Sequence, residues 1–393
     1  MIKVAIIAPY PASSVLSDEY LKARVRDKAK QQHPAPWVRS LCRELSSING
    51  IEIRVFTHSR HISKIYSSNK EGVNYTFIPK YESARFDPYH LYFPAILQFI
   101  PLIRKFNPDI VHGFGAAGAY GLTTVMQDKP RVVFIQGIVD KLAPFSHKFK
   151  LKLDILKGIE KYVVKNADGI IVETEFARTW VKNISPNANV KIIPHGFTKS
   201  FFSAKPTFGS KKIVSIGTLS RIKGCKIVLK AFALGVHSDP ALFNDAELTF
   251  IGSGPQEAAL NNMIDNYGLR GSVRIMGHLA HEKIIHEMEN ACMLVIASRM
   301  DTSPNVITEA HAAGIPVIGT ATGGIPNMIE DGKDGFLVPV DDTAEISSRM
   351  KFLLNDMQRC AKMGQLGREK VLMLNDPSIV AGAHVDFYQQ ILS

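Results

Sequence analysis

The first half of the chain alternates short β-branched runs with longer amphipathic stretches. Six apolar runs predict strands, at residues 4–9, 51–58, 108–114, 131–137, 169–174 and 190–196. Helical patterns lie between them, among others at 37–48 and 149–166. Strands of this kind that alternate with helices predict β-α-β units and a mostly parallel sheet.

The same alternation of predicted strands and helices resumes after a polar segment. Residues 198–212 are polar, contain Pro206 and Gly209 and show no periodicity, which favours a linker. Six further strands are predicted, at residues 212–218, 247–254, 272–278, 293–298, 316–320 and 335–340. The pattern therefore predicts an α/β protein of two doubly wound Rossmann-like domains, 1–200 and 206–375. Such sheets bind ligands at the carboxyl ends of their strands, so we expect the site in a cleft between the domains.

Length and composition agree with two globular domains. The 393 residues are 46% hydrophobic and 21% charged. No apolar run approaches the roughly 18 residues of a membrane-spanning helix, and the first run stops at Pro9, which favours a buried strand over a signal peptide. We expect residues 376–393 to form an amphipathic helix that packs back on the N-terminal domain. The four scattered cysteines predict reduced core thiols in a cytoplasmic protein, with no metal site.

The charge is unevenly distributed. Residues 1–200 carry a net charge of +13, and residues 201–393 carry −2. This asymmetry favours an anionic partner of the first half, either nucleic acid or a membrane surface, although a solvated basic surface stays possible. The basic stretches hold few aromatic residues and no nucleic-acid-binding module, which disfavours nucleic acid. Residues 113–118 match G-x-G-x-x-G, but no acidic residue follows at the spacing of a dinucleotide site.

Candidate chemistry concentrates in residues 293–340. A strand ends there at Ser298, a polar loop follows, and a helix is predicted to begin near Pro304, with Ser303 as its N-cap. Free N–H groups at a helix N-terminus suit a diphosphate. Glu309, one and a half turns into the helix, could accept hydrogen bonds from two ribose hydroxyls, or it could meet only solvent.

The same segment resembles the signature of the retaining GT-B glycosyltransferases of family 4, an acidic pair at Glu-x7-Glu spacing followed by A-x-A-x-G-x-P-V-I and G-G-I-P. This chain has Asp301-x7-Glu309 and then AHAAGIPVIGTATGGIP. The resemblance implies that Glu309 binds the donor ribose and that Asp301 contacts the donor sugar. Aspartate instead of glutamate at the first position leaves the selected sugar open.

A second block, residues 214–232, resembles the family's glycine-x-L-x-x-x-K-G element. The resemblance implies that Arg221 and Lys223 place two cations against the departing diphosphate. Residues 251–255 and 277–298 are similar to further donor-site elements. The resemblance thus implies a donor site made of Gly217, Arg221, Lys223, Gly252, His278, Ser303, Asn305, Val306, Ile307 and Glu309.

The resemblance also implies roles in the N-terminal half. We expect His112 to end its strand, to point into the cleft and to act with Asp301, Arg221 and Lys223 in catalysis. His195 is expected to be structural. Residues 9–37 lack the family's Gly-Gly loop and suggest a mobile insertion that binds the acceptor.

The implied function is retaining transfer of a sugar from a nucleoside-diphosphate sugar, UDP favoured over GDP, to a saccharide or lipid-linked acceptor of a cell-surface polysaccharide. No cofactor, metal or nucleic acid is expected. A nucleotide-sugar epimerase or hydrolase, or a two-domain sugar-binding protein, stays open as an alternative. The basic helix at 149–166, with Phe149, Leu153, Leu156, Ile159 and Val163 on one face, suggests peripheral binding to the inner leaflet, although packing on the sheet explains that face equally.

Overall fold

The computed structural model describes residues 1–10, 12, 15–16, 36–80, 87–146 and 150–393. These residues divide into two compact units. Unit 1 consists of residues 1–196 and 377–393, and unit 2 consists of residues 197–376.

Unit 1 is built on an eight-stranded sheet of order β3-β4-β2-β1-β5-β6-β7-β8. Every pairing is parallel except that of β3 with β4, which is antiparallel. The strands are β1 Ile2–Ile7, β2 Ile51–Ser59, β3 Tyr66–Lys70, β4 Val73–Pro79, β5 Ile110–Phe114, β6 Arg131–Phe134, β7 Gly169–Val172 and β8 Val190–Ile192. Its helices are α1 Pro36–Ser47, α2 Phe93–Phe106, α3 Ala119–Val125, α4 Val139–Leu142, α5 Lys150–Asn166, α6 Glu175–Ile184 and α14 Pro377–Leu392.

The central strand of unit 1 is β1, whose residues Val4 to Ile7 are fully buried because helices cover both faces of the sheet. On one face α1 and α14 pack against each other. The C-terminal helix α14 therefore belongs to unit 1, although the whole of unit 2 separates it from the other elements in the sequence.

Unit 2 is built on a six-stranded, fully parallel sheet of order β11-β10-β9-β12-β13-β14. Its strands are β9 Lys212–Ile216, β10 Glu247–Ile251, β11 Val273–Ile275, β12 Met293–Ile296, β13 Val317–Thr320 and β14 Gly335–Val338. Its helices are α7 Cys225–Ser238, α8 Pro240–Phe243, α9 Glu257–Asn266, α10 His281–Glu289, α11 Asn305–Ala313, α12 Thr343–Leu354 and α13 Met357–Asn375. The predicted α/β class with two doubly wound Rossmann-like domains is confirmed.

The predicted membrane-facing side of α5 is not available to a bilayer. Leu156, Ile159 and Val163 are buried in unit 1, and the last two pack with residues of α3, α6, β6 and β7. Phe149 and Lys148 lie outside the described residues. The apolar face of α5 is explained by packing on the sheet.

Candidate functional site

Two strand-end turns meet at the carboxyl edge of the unit 2 sheet. Gly217 follows β9 with a φ of 145°, and Gly252 follows β10 with a φ of 133°. The Gly217 amide donates a 2.9 Å hydrogen bond to the Ile251 carbonyl, and the Gly252 amide donates a 2.8 Å bond to the Gly277 carbonyl. A Cβ at Gly252 would overlap the Gly217 carbonyl. Glycine at Gly252 is therefore required by both the backbone conformation and the close approach of the two turns.

The loop between β9 and α7 is held on two sides. The Leu219 amide donates a 3.0 Å hydrogen bond to the Ser253 carbonyl, and the buried Leu219 side chain anchors the loop in the core. On the other side Gly224 adopts a φ of 68° and lies against the carbonyl of Ala297, where a Cβ would overlap. These contacts bring Lys223 next to the loop that follows β12.

Lys223 and Asp301 form an ion pair at this point, with 2.5 Å between Nζ and Oδ2. The Asp301 backbone is fixed from the other side. Its carbonyl accepts a 2.9 Å hydrogen bond from the Gly324 amide, and Gly323, with a φ of 57°, leaves no room for a Cβ beside it. The structure thus joins two residues for which the sequence implied separate contacts, one with the diphosphate and one with the sugar.

Helix α11 starts one residue later than the capping pattern predicts. Pro304, with φ −73° and ψ 110°, is the N-cap itself, and no side chain caps the helix. Ser303 is therefore not the N-cap, and its hydroxyl lies 3.7 Å from the Met328 sulfur. The predicted Ser303 cap is wrong because Pro304 has a non-helical ψ and therefore takes the N-cap position itself. Proline has no side-chain acceptor, so the helix lacks a side-chain cap. The amides of Asn305 and Val306 remain at the open end of the helix.

These elements enclose a pocket that lies wholly within unit 2. The strand ends of β9 and β12 form its floor, and the loops after them form its walls. Among the predicted residues it is lined by Gly217, Lys223, Asp301 and Val306; it is also lined by Ser215, Thr218, Ser298 and Pro304.

Glu309 lies on α11, and its side chain is half-buried. Its carboxylate makes no hydrogen bond or ion pair with any residue that the structure describes. Burial without a compensating partner raises its pKa to about 7. A carboxyl group in such a position is an acceptor with its hydrogen-bonding capacity unused.

Seven of the predicted donor residues are not part of this pocket's lining, namely Arg221, Gly252, His278, Ser303, Asn305, Ile307 and Glu309. The Arg221 side chain is exposed, and its carbonyl accepts a 2.7 Å hydrogen bond from Arg299 Nη1. His278 is exposed beyond the edge strand β11. Ile307 is fully buried in the core of unit 2. Sequence reasoning missed Arg299, which pairs with Asp341 at 2.9 Å and ties the β9 loop to the loop after β14.

The expected placement of His112 is wrong. Strand β5 continues to Phe114, and the His112 ring is fully buried, stacked on Phe114 at 4.6 Å between centroids. Its Nδ1 lies 2.7 Å from the hydroxyl of Tyr388 on α14. Burial is the main cause that lowers the pKa of His112 well below its usual value, and nearby His384 is the second cause. His112 connects the sheet of unit 1 to its C-terminal helix and has no exposed surface.

His195 has the packed position that the sequence suggested. Its ring lies 4.5 Å from Trp37 and 5.5 Å from Phe134, and its Nε2 pairs with the carboxylate of buried Glu173. The proposed acceptor loop at 9–37 lies mostly outside the described residues.

The described part of the chain shows no helix with both the length and the hydropathy to cross a membrane. Likewise, no cluster of three or more potential metal ligands occurs among the described His, Cys, Asp and Glu side chains.

Two family models match consecutive parts of the chain. Residues 36–200 match the family described as Glycosyltransferase Family 4, and residues 197–370 match the family described as Glycosyl transferases group 1. The first segment lies almost entirely in unit 1 and the second lies in unit 2.

Individual relatives are distant. The N-acetyl-alpha-D-glucosaminyl L-malate synthase of Bacillus anthracis is 27% identical over 179 residues, which are 44% of this chain and 45% of that protein. The chain spans about half the length of the curated relatives it matches.

Solved structures match over the whole chain. Sucrose-phosphate synthase from Thermosynechococcus elongatus has a TM-score of 0.78 at 18% identity and covers 100% of this chain and 99% of its own. HepE from Anabaena, solved in complex with UDP-glucose, has a TM-score of 0.72 at 14% identity and covers 99% of this chain and 100% of its own. These likenesses confirm the predicted GT-B fold class.

Proposed function

We propose that the chain moves a sugar from a nucleoside-diphosphate sugar to a saccharide or lipid-linked acceptor, because unit 2 matches the family model of the group 1 glycosyl transferases and unit 1 matches that of Glycosyltransferase Family 4. The observation that carries this proposal is the unit 2 pocket. There a cation, a carboxylate and an open helix N-terminus meet at the carboxyl ends of parallel strands.

The diphosphate of the donor is assigned to the N-terminus of α11. The amides of Asn305 and Val306 and the positive end of the helix dipole favour an anion there. Lys223 lines the same pocket, where its ammonium group is paired with Asp301 and can turn to an incoming phosphate. The negative charge on the diphosphate grows as it leaves, so a cation already in position stabilises the transition state more than the ground state.

The ribose is assigned to Glu309. A carboxylate can accept hydrogen bonds from two adjacent hydroxyls, and the Glu309 carboxylate has no protein partner among the described residues. Binding of the ribose would satisfy a group whose desolvation is otherwise uncompensated. We propose UDP as the nucleotide of the donor, because the structurally similar HepE was solved with UDP-glucose.

The donor sugar is assigned to Asp301. Its carboxylate is bound to Lys223 and its backbone is fixed by the glycine turn after β13. Contact of Lys223 with the diphosphate would release this carboxylate to accept hydrogen bonds from sugar hydroxyls. The Lys223 side chain would thus couple binding of the diphosphate to binding of the sugar.

The proposed transfer retains the anomeric configuration. An acceptor hydroxyl oxygen bonds to the anomeric carbon on the face from which the diphosphate departs, and the bond from that carbon to the diphosphate oxygen breaks. The hydroxyl proton passes to the leaving diphosphate, so no side chain is needed as a general base.

The test is a panel of UDP-, GDP- and ADP-sugars, each incubated with the protein with and without saccharide acceptors. We expect transfer that depends on an acceptor. The transfer rate should be reduced in Lys223→Met and unchanged in Lys230→Met, which replaces an exposed lysine of α7. NMR of the first product formed reports its anomeric configuration. Release of free sugar at the same rate without acceptor would contradict transfer and favour a hydrolase. Binding without any turnover over the whole panel would favour a sugar-binding protein.

A further inference from the structure

Helix α2 of unit 1 and the turn that precedes it expose large apolar side chains to solvent. Leu91, Phe93 and Leu97 are 56%, 55% and 54% exposed, and Pro101 continues the row one turn further on. The opposite face, with Ile96, Phe99 and Ile103, is buried against the sheet. The helix therefore has an apolar face in the core and a second one in solvent, and packing among the described residues of unit 1 does not explain the second face.

The same outer face ends in two cations. Arg104 and Lys105 occupy the last turn of α2, both exposed, and the helix contains no acidic residue. Arg104 is paired with Asp128 at 2.8 Å, but both side chains are more than 60% exposed, so the pair is weak. We call the residues Leu91, Phe93, Leu97, Pro101, Arg104 and Lys105 the α2 surface.

The turn that presents the apolar end of this surface is held in a strained conformation. Leu91 and Tyr92 have φ values of 50° and 57°, in the left-handed region that side chains other than glycine disfavour. Tyr92 anchors the turn, because its ring lies beside Gly118 in the loop after β5. Consequently Leu91 and Phe93 project at the carboxyl edge of the unit 1 sheet, the edge at which such sheets bind ligands.

Positive charge flanks the α2 surface. The 3-10 turn Asp87–His90, which leads into α2, packs against α5, and α2 and α5 both pack against α3. The outer side of α5 carries the exposed residues Lys150, Lys161, Lys165 and Tyr162 and one exposed acidic residue, Asp154, so cations are in excess there. An apolar row with an aromatic residue, bordered by cations, complements a bilayer with anionic headgroups more closely than it complements an apolar protein surface.

We propose that the α2 surface docks unit 1 on an anionic lipid bilayer, with Leu91, Phe93 and Leu97 in the headgroup–acyl boundary and the cations at the phosphates. This inference deepens the proposed function, since it rests on the lipid-linked form of the acceptor. A bilayer-bound acceptor would then be met at the carboxyl edge of the unit 1 sheet.

The experiment is flotation of the full chain with vesicles of phosphatidylcholine alone and of phosphatidylcholine with phosphatidylglycerol, at low and high salt. The wild type should bind anionic vesicles at least tenfold more tightly than neutral ones at low salt. The triple variant Leu91→Gln/Phe93→Gln/Leu97→Gln should bind at least tenfold more weakly. Arg104→Gln/Lys105→Gln should lose about fivefold for each cation removed and part of the salt dependence.

The matched control is Met373→Gln/Leu374→Gln, two residues of unit 2 that are 66% and 55% exposed. It should bind vesicles as the wild type does. Phe93→Trp gives a second measurement in an otherwise intact protein, since its emission should shift to shorter wavelength with anionic vesicles. Both native tryptophans lie on other helices, Trp37 on α1 and Trp180 on α6.

Three results would overturn the proposal. They are absence of wild-type binding to anionic vesicles at low salt, equal binding by the triple variant, and an unshifted Phe93→Trp emission. Self-association of the wild type that the triple variant loses, without vesicle binding, would assign the α2 surface to a contact between copies. Titration of UDP into the same samples keeps the two proposals separate, because the nucleotide pocket lies in unit 2 and the α2 surface lies in unit 1.

Discussion

Lys223 Nζ and Asp301 Oδ2 lie 2.5 Å apart in unit 2, although 78 residues separate them in the chain. The loop after β9 and the loop after β12 meet here because glycines at Gly224 and Gly323 permit backbone contacts that a Cβ would prevent. The pair places a cation and a carboxylate in one pocket, where each can exchange its partner for part of a nucleotide sugar.

Replacement of the two members of the pair should have different consequences. Lys223→Met removes the cation that faces the diphosphate, so turnover should fall roughly 10²–10³-fold, with weaker binding of UDP. Asp301→Asn leaves Lys223 without its competing anion, so UDP should bind as well as or better than in the wild type while transfer is lost. Steady-state kinetics and calorimetry with UDP check both. Equal weakening of UDP binding by both variants would contradict the exchange of partners.

Arg221 stays a predicted contact of the diphosphate, but its exposed side chain lies off the pocket lining. Arg221→Ala should therefore reduce turnover less than Lys223→Met does. A parallel measurement of kcat for the two variants tests this order, and a larger loss for Arg221→Ala would reverse the assignment of the principal cation.

Gly252→Ala should destabilise unit 2 by more than about 1 kcal/mol, because alanine disfavours a φ of 133° and its Cβ would overlap the Gly217 carbonyl. UDP binding should fall as well, since the added Cβ would displace Gly217, which lines the pocket. Gly271→Ala is the matched control, because nothing lies within 4 Å of its Cβ position. Urea unfolding and UDP titration of the two variants check the prediction, which fails if they behave alike.

The contact between His112 and Tyr388 should stabilise unit 1. Tyr388→Phe removes the hydroxyl partner of His112 Nδ1 inside the core, which should cost about 1–3 kcal/mol of unfolding free energy. Tyr162→Phe, on an exposed tyrosine, should cost nothing measurable. An unchanged unfolding free energy for Tyr388→Phe would show that the hydrogen bond does not hold α14.

Much of this architecture could be predicted from the sequence. Buried parallel strands are short apolar runs, so the period and spacing of those runs predicted both sheets. Strands β3 and β4 were both missed. The sequence of β3, YSSNK, is polar and largely exposed, and only pairing with β4 makes it a strand. The sequence of β4, VNYTFIP, is not a continuous apolar run, because Asn74 and Thr76 interrupt its apolar positions. The exposed face of α2 was also missed, because a helix that is apolar on both sides shows no contrast between faces.

The part of the candidate site that lies in local sequence motifs was predicted, and the part that depends on tertiary contacts was not. Gly217, Lys223, Asp301 and Val306 line one pocket, since the first two lie in the segment between β9 and α7 and the last two lie in the segment from the end of β12 to the first turn of α11. The ion pair across 78 residues and the burial of His112 depend on tertiary packing. The apolar run that contains His112 does not reveal that Tyr388, on the last helix, covers it.

Glu309 should make stability depend on pH. Its pKa is about 7 in the folded protein against an ordinary value of 4.5, so the folded state holds a proton that the unfolded state has released between these values. Stability of the unliganded protein should therefore fall as the pH rises from about 4.5 to about 7, and this part of the decrease should be absent in Glu309→Gln. Unfolding free energies across this range, with Glu282→Gln on an exposed residue as control, check the sign. A Glu309→Gln profile parallel to that of the wild type would contradict it.

Calorimetric titration of UDP and UDP-glucose into the wild type and Glu309→Gln at pH 8 tests whether unit 2 holds a nucleotide-sugar donor. At this pH the carboxylate is ionised and can accept from the ribose hydroxyls. The wild type should show saturable binding, and Glu309→Gln should lose about 1–3 kcal/mol of binding free energy, the scale of hydrogen bonds to a charged acceptor. Equal affinity of the two proteins, or no binding of either ligand by the wild type, would contradict it.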